Sequence, residues 1–98
     1  ADAGPDKDRA EAAGAAEQRL AQVGEVLGAA WMCPEIDRAR LHAVMHKVEA
    51  MIDRGVDDNK QYYAAHNILD KAIDKGKHES DCRRAETALG DIERELPP

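Results

Sequence analysis

The stretch PEIDRARLHAVMHKVEAMIDRG, residues 34–55, decides the fold class. Ile36, Leu41, Val44, Met45, Val48 and Ile52 recur at helical spacing and form one apolar stripe. Pro34 suits the first position of a helix, where its missing N–H would have had no partner anyway. Gly55 stands just past the last apolar position, where a left-handed residue often closes a helix. The spacing predicts a helix over about 34–54.

Towards the C-terminus the same reasoning gives two more helices. Asp57 or Asp58 can cap a third, in which Tyr62, Ala65, Leu69 and Ile73 make a stripe widened by Ile68 and Ala72 and ended at Gly76. Ser80 can cap a fourth, in which Cys82, Ala85, Leu89, Ile92 and Leu96 alternate at three and four residues until Pro97. Towards the N-terminus the chain is alanine-rich and helix-permissive from Asp6 to about Ala30. Ala16, Leu20, Val23 and Leu27 fall at helical spacing there. Gly14, Gly24 and Gly28 each weaken that helix by roughly 1 kcal/mol relative to alanine. It is therefore expected to be soft, small-surfaced or ended early near Gly28. Residues 1–5 read as a disordered lead and 6–98 as a single domain.

The expected architecture is all-α: a small up-down helical bundle of three well-marked helices plus the alanine-rich N-terminal one. Short connections make neighbouring helices antiparallel. Helices two and four then run parallel, which places Cys33 and Cys82 at the same end of the bundle. A disulfide between them closes a loop of about 50 residues, for which the chain-entropy model gives roughly 4 kcal/mol. That is a large contribution to a 98-residue core that contains no Phe and one Trp.

Composition narrows the function. The formal net charge is -6, which argues against nucleic acid and against an anionic membrane surface, since both need a basic face. No apolar run approaches the ~20 residues that span a bilayer. The chain starts Ala1-Asp2-Ala3-Gly4-Pro5 without an initiator Met, the pattern left by signal-peptide cleavage. With an even, small cysteine count this leads us to expect export to an oxidising compartment such as the periplasm.

Nothing in the sequence points to an enzyme. Ser80 is explained as a cap, Thr87 is isolated, and no pair of carboxylates stands in separated environments. A bundle this short and alanine-rich is not expected to hold a large pocket.

The candidate site is a metal site. On a wheel at 100° per residue, Glu35, His42, His46, Glu49 and Asp53 share one narrow arc of the second helix. His42 and His46, four apart, project from adjacent turns, and with Glu49 they can offer two imidazoles and an oxygen to Zn²⁺, Ni²⁺ or Cu²⁺. Glu49, Asp53, Asp57 and Asp58 surround the turn at Gly55, an all-oxygen set suited to Ca²⁺ or a lanthanide. The plainer alternative is a solvated, charge-paired helix face with Asp57 and Asp58 as ordinary caps. His66 reads as a boundary histidine, and Met45 and Met51 as core filling. Trp31 either plugs the bundle end beside the disulfide or is an anchor for a partner protein.

In profile the chain resembles small periplasmic metal-handling proteins: short, acidic, helical, with one cysteine pair. Among them it resembles the lanthanide-binding proteins of methylotrophic bacteria. That resemblance implies a metal-binding or metal-trafficking role but assigns no ligand; the residues that would carry it here are Glu49, Asp53, Asp57 and Asp58, with His42 and His46 for a transition metal. An exposed site with few protein ligands can be completed by a second subunit, so the expected assembly is a monomer or a metal-dependent homodimer. In size, helicity and its two cysteines it also resembles acid-stress chaperones of the periplasm. That favours the other reading, a metal-free helical interaction module acting as chaperone, inhibitor or assembly factor.

Overall fold

The computed structural model describes residues 5–55, 59–79 and 81–96. They form four helices: α1 (Pro5–Trp31), α2 (Arg38–Gly55), α3 (Asn59–Gly76) and α4 (Cys82–Glu95). The expected all-α bundle with one disulfide is what the chain adopts. Leu27, Leu41, Leu69 and Leu89, one from each helix, are its most completely buried large side chains. Burying each contributes roughly 2–3 kcal/mol. Around them pack Val23, Ile36, Val44, Val48, Ile52 and Ile92, and the core holds no buried charged residue among those described.

The helix starts differ from expectation, for local reasons. α2 begins at Arg38, not Pro34. Residues 34–36 instead make a turn in which Ile36 N–H donates to the Cys33 carbonyl at 3.1 Å, and Cys33 and Ile36 are both buried by it. Asp37 then caps the helix: its Oδ1 accepts from Ala39 N–H at 3.0 Å. Cys33 therefore lies in the α1–α2 connection rather than at a helix start. At α4 the cap is Asp81, whose side chain accepts from Arg84 N–H at 3.0 Å. Ser80, expected in that role, lies outside the described residues. So do Asp57 and Asp58, the expected caps of α3, and residues 1–4 of the expected lead.

α1 is the longest element and does not end near Gly28. It continues through Gly14, Gly24 and Gly28 to Trp31. The glycines are where α1 packs closest to α3. A Cβ at Gly24 would lie against Ala72 Cβ and 3.0 Å from the Leu69 carbonyl oxygen. One at Gly28 would overlap the Ile73 carbonyl, and one at Gly76 would overlap the Glu25 backbone. Four-residue spacing in both helices, Gly24/Gly28 and Ala72/Gly76, puts the small residues on one face of each, which lets the backbones approach. Residues rise in step along the seam, so α1 and α3 run parallel, as an up-down bundle requires. The role of Gly76 is thus contact. Among the described residues no glycine has positive φ, so neither Gly55 nor Gly76 closes its helix in the left-handed conformation.

Cys33 and Cys82 are bonded, with Cα atoms 5.8 Å apart across 49 residues of sequence. The bond ties the α1–α2 turn to the first residue of α4. At the other end of α4, Glu95 pairs with Arg19 of α1. α1 and α4 are therefore antiparallel, and α4 is held at both ends. Two residues before that end, Arg40 Nε from the first turn of α2 donates to Glu93 Oε1 at 2.8 Å.

Candidate functional site

The expected metal ligands sit on α2 as the wheel placed them, but they do not converge. His42, His46 and Asp53 are exposed and Glu49 is half-buried. From His42 to Asp53 the row climbs about 16 Å at 1.5 Å per residue, too far for one ion to reach its ends. The His42 ring is 5.5 Å from the Trp31 ring, edge to face. Asp53 instead faces α3, where its Oδ1 lies 3.7 Å from His66 Nε2. That nitrogen is shielded from solvent and has no hydrogen-bond partner among the described atoms, an uncommon state for a polar atom. Among the described residues no group of three His, Cys, Asp or Glu side chains is placed to hold a metal ion. Asp57 and Asp58, needed for the all-oxygen set, are outside those residues.

Trp31 is half-buried against the core beside the disulfide. The Arg38 guanidinium sits 4.6 Å over its ring, and Arg38 Nη1 donates to the Trp31 carbonyl at 2.5 Å. With His42 at its side, much of the ring is already in contact with neighbours. The exposed apolar residue at this end is Met32, at 55%.

The opposite end of the bundle carries what the sequence reading missed. An open groove of about 480 Å³ runs there between α1, α2 and the end of α4. Leu20, Val23, Val48, Met51, Ile52 and Leu96 make its walls, and Ala16 and Ala65 also line it. Its polar boundary consists of Glu17, Arg19 and Glu95, of which the last two are paired. The volume lies within the range of ligand pockets, against the expectation that this bundle would not hold a large one. Met51, expected to fill the core, is 50% exposed here. The cause is length. α2 reaches Gly55, whereas α4 stops at Glu95, opposite Arg19 of an α1 that starts at Pro5. Among the described residues α4 therefore covers less of the inward faces of α1 and α2 at this end than at the disulfide end. A signal for this was present: α4 is the shortest apolar stripe, and the last apolar positions of the second helix have no counterpart in it.

A second cleft, about 640 Å³, lies between α1 and the start of α4. It is the weaker candidate. Two of its acidic groups are already engaged, Glu25 with Lys75 at 2.9 Å and Asp81 with its own helix start. Among the described residues no helix is long and apolar enough to cross a membrane.

Compared with protein-family models, curated proteins and solved structures, the chain matches none.

Proposed function

We propose that this protein is a non-enzymatic binding module that takes an amphipathic helix of a partner protein into the groove past the end of α4. The observation that carries this reading is the groove itself, an open apolar trough of about 480 Å³ between α1, α2 and the end of α4. Helix-in-groove recognition uses such a surface, with apolar side chains spaced along one face of the incoming helix. Met51 on its wall is a flexible side chain that adapts to different partners. Glu17 and Glu95 on the rim and a net charge of -6 favour a partner helix with lysine or arginine flanking its apolar face. The disulfide at the far end fits work in an exported, oxidising compartment such as the periplasm.

The test is methyl NMR of protein labelled at methionine, titrated with a leucine-faced, lysine-bearing model helix. Met51 lines the groove and Met32 lies at the opposite end. Saturable movement of the Met51 methyl with Met32 still, abolished by Val23→Asp in a chain that keeps its helicity, is the expected result. A Met51 methyl unmoved at saturating peptide sinks the reading.

A second reading, a metal-binding or metal-trafficking protein, is favoured by one observation, the unpartnered His66 Nε2 facing Asp53 across the α2–α3 pair. Those two side chains would suit Zn²⁺, Ni²⁺ or Cu²⁺. Ca²⁺ or a lanthanide would draw on Asp53, Asp57 and Asp58 with Glu49. Competitive titration across these ions checks it. Binding no tighter than about millimolar, or binding that survives Asp53→Asn, removes it.

A further inference from the structure

The two halves of the Cys33–Cys82 bond stand in different surroundings. Cys33 lies in the α1–α2 connection and is 2% exposed. Its sulfur sits 3.2 Å from the Ala29 carbonyl oxygen, and its own carbonyl accepts from Ile36 N–H across the turn. Cys82, the first residue of α4, is only half-buried where it packs against the same core. Thiol–disulfide exchange is an in-line displacement: a thiolate approaches one sulfur while the other leaves. Open space is therefore needed at the attacked sulfur and not at the leaving one.

We infer that Cys82 is a site of reversible S-thiolation by low-molecular-weight thiols. A thiolate, RS⁻, attacks Cys82 Sγ; the bond to Cys33 breaks and a new RS–S bond forms at Cys82. The electron pair of the broken bond leaves on Cys33 Sγ, which takes a proton from water. One disulfide is consumed and one is formed, so the thiol is the only co-reactant. Leaving-group chemistry alone would choose the other sulfur. A thiolate released at Cys82 would stand at the start of α4, where the helix dipole favours negative charge. Access decides against it, because buried Cys33 offers an incoming thiol no line of approach.

Cys33 is also placed to reverse the step. Once freed, its S–H can donate to the Ala29 carbonyl oxygen, which holds the sulfur beside its former partner. Attack from there on Cys82 Sγ expels the thiol and restores the bond. While the adduct lasts, the start of α4 is released from the α1–α2 turn, and that end of the bundle loses its clasp. The inference is independent of the groove at the opposite end.

The experiment treats the oxidised full chain with reduced glutathione, quenches at low conversion with excess N-ethylmaleimide, and maps both cysteines by peptide mass. Expected is native protein with glutathione on Cys82 and maleimide on Cys33, favoured over the reverse by roughly tenfold or more. In urea, where the fold no longer shields Cys33, that preference is expected to vanish. A native adduct on Cys33, or one split evenly, overturns the inference. So does a preference for Cys82 that survives in urea, since local sequence and not burial would then set it. Native protein that gains no adduct overturns it too. Adduct separated from glutathione without quenching should regenerate the disulfide and release one glutathione per chain; an adduct that persists overturns the reversible step.

Discussion

Gly28 of α1 packs directly on the Ile73 carbonyl of α3, with no room between the two backbones for a side chain. A residue that weakens α1 as an isolated helix is therefore one that joins it to α3. Helix propensity and packing pull in opposite directions here, and the sizes decide between them. Alanine would gain up to about 1 kcal/mol in propensity. Forcing the seam apart costs typically 1–3 kcal/mol, and here the obstacle is backbone, which cannot rotate away.

The same substitution should consequently change sign along one helix. Gly28→Ala is expected to lower stability by about 1–3 kcal/mol. A Cβ at Gly14 meets nothing within 4 Å, so Gly14→Ala should raise stability by up to about 1 kcal/mol. Urea unfolding of the two variants beside the wild type decides it. Equal gains in both would mean that α1 and α3 do not touch at Gly28.

Reduction should be costly but not local. The Cys33–Cys82 bond closes 49 residues of sequence, and its loss is expected to remove about 4 kcal/mol. Denaturant midpoints of oxidised protein and of a Cys33→Ser/Cys82→Ser variant give the difference. A gap below about 1 kcal/mol would show that the unfolded chain is compact enough to make the cross-link redundant.

Acid should attack the Arg40–Glu93 pair. The hydrogen bond from Arg40 holds the Glu93 carboxyl below its ordinary value, against the opposing effect of burial, and the same bond raises Arg40. A carboxyl lowered on folding stabilises the native state above its unfolded pKa. That contribution is lost as pH falls through the usual carboxylate range towards the folded value. Both side chains are about one-third exposed, so the pair is worth only about 0.5–1 kcal/mol. Glu93→Gln should lower stability at neutral pH by that amount and flatten the acid limb. A variant whose stability falls with acid as steeply as wild type would show that other carboxylates carry it.

Arg38 should matter to Trp31 through its stem as well as its charge. It lies over the ring and donates to the Trp31 carbonyl. Arg38→Ala is expected to red-shift Trp emission as water reaches the ring and to lower stability by about 0.5–1 kcal/mol. Unchanged emission would mean that the ring face is already wet.

The helices, their order and the disulfide were legible because each rests on local pattern or on connection length. The stripe Ala85, Leu89, Ile92 needs only a 3.6-residue period to be seen, and the Cys33–Cys82 pairing needs only that short loops alternate helix direction. Asp37 and Asp81 show the limit of that legibility. Each stands within three residues of another plausible helix start, Pro34 and Ser80, and competing starts differ by about a kilocalorie of capping. At Pro34 the burial of Cys33 and Ile36 decided the outcome.

What the sequence by itself determined is therefore the secondary structure and the end of the bundle where the cysteines meet. What only the tertiary structure decided is every property that depends on two helices at once. Gly24 and Gly28 looked like weaknesses until α3 lay against them. His42, His46, Glu49 and Asp53 shared an arc on a wheel, yet a wheel discards the rise along the axis, and that rise keeps them from one ion. Met51 had the spacing of a core residue and became exposed because α4 ends before it can cover that level. The physical reason is common to all three. Periodicity fixes the direction in which a side chain leaves its helix, but the neighbour's length and height fix what it meets there.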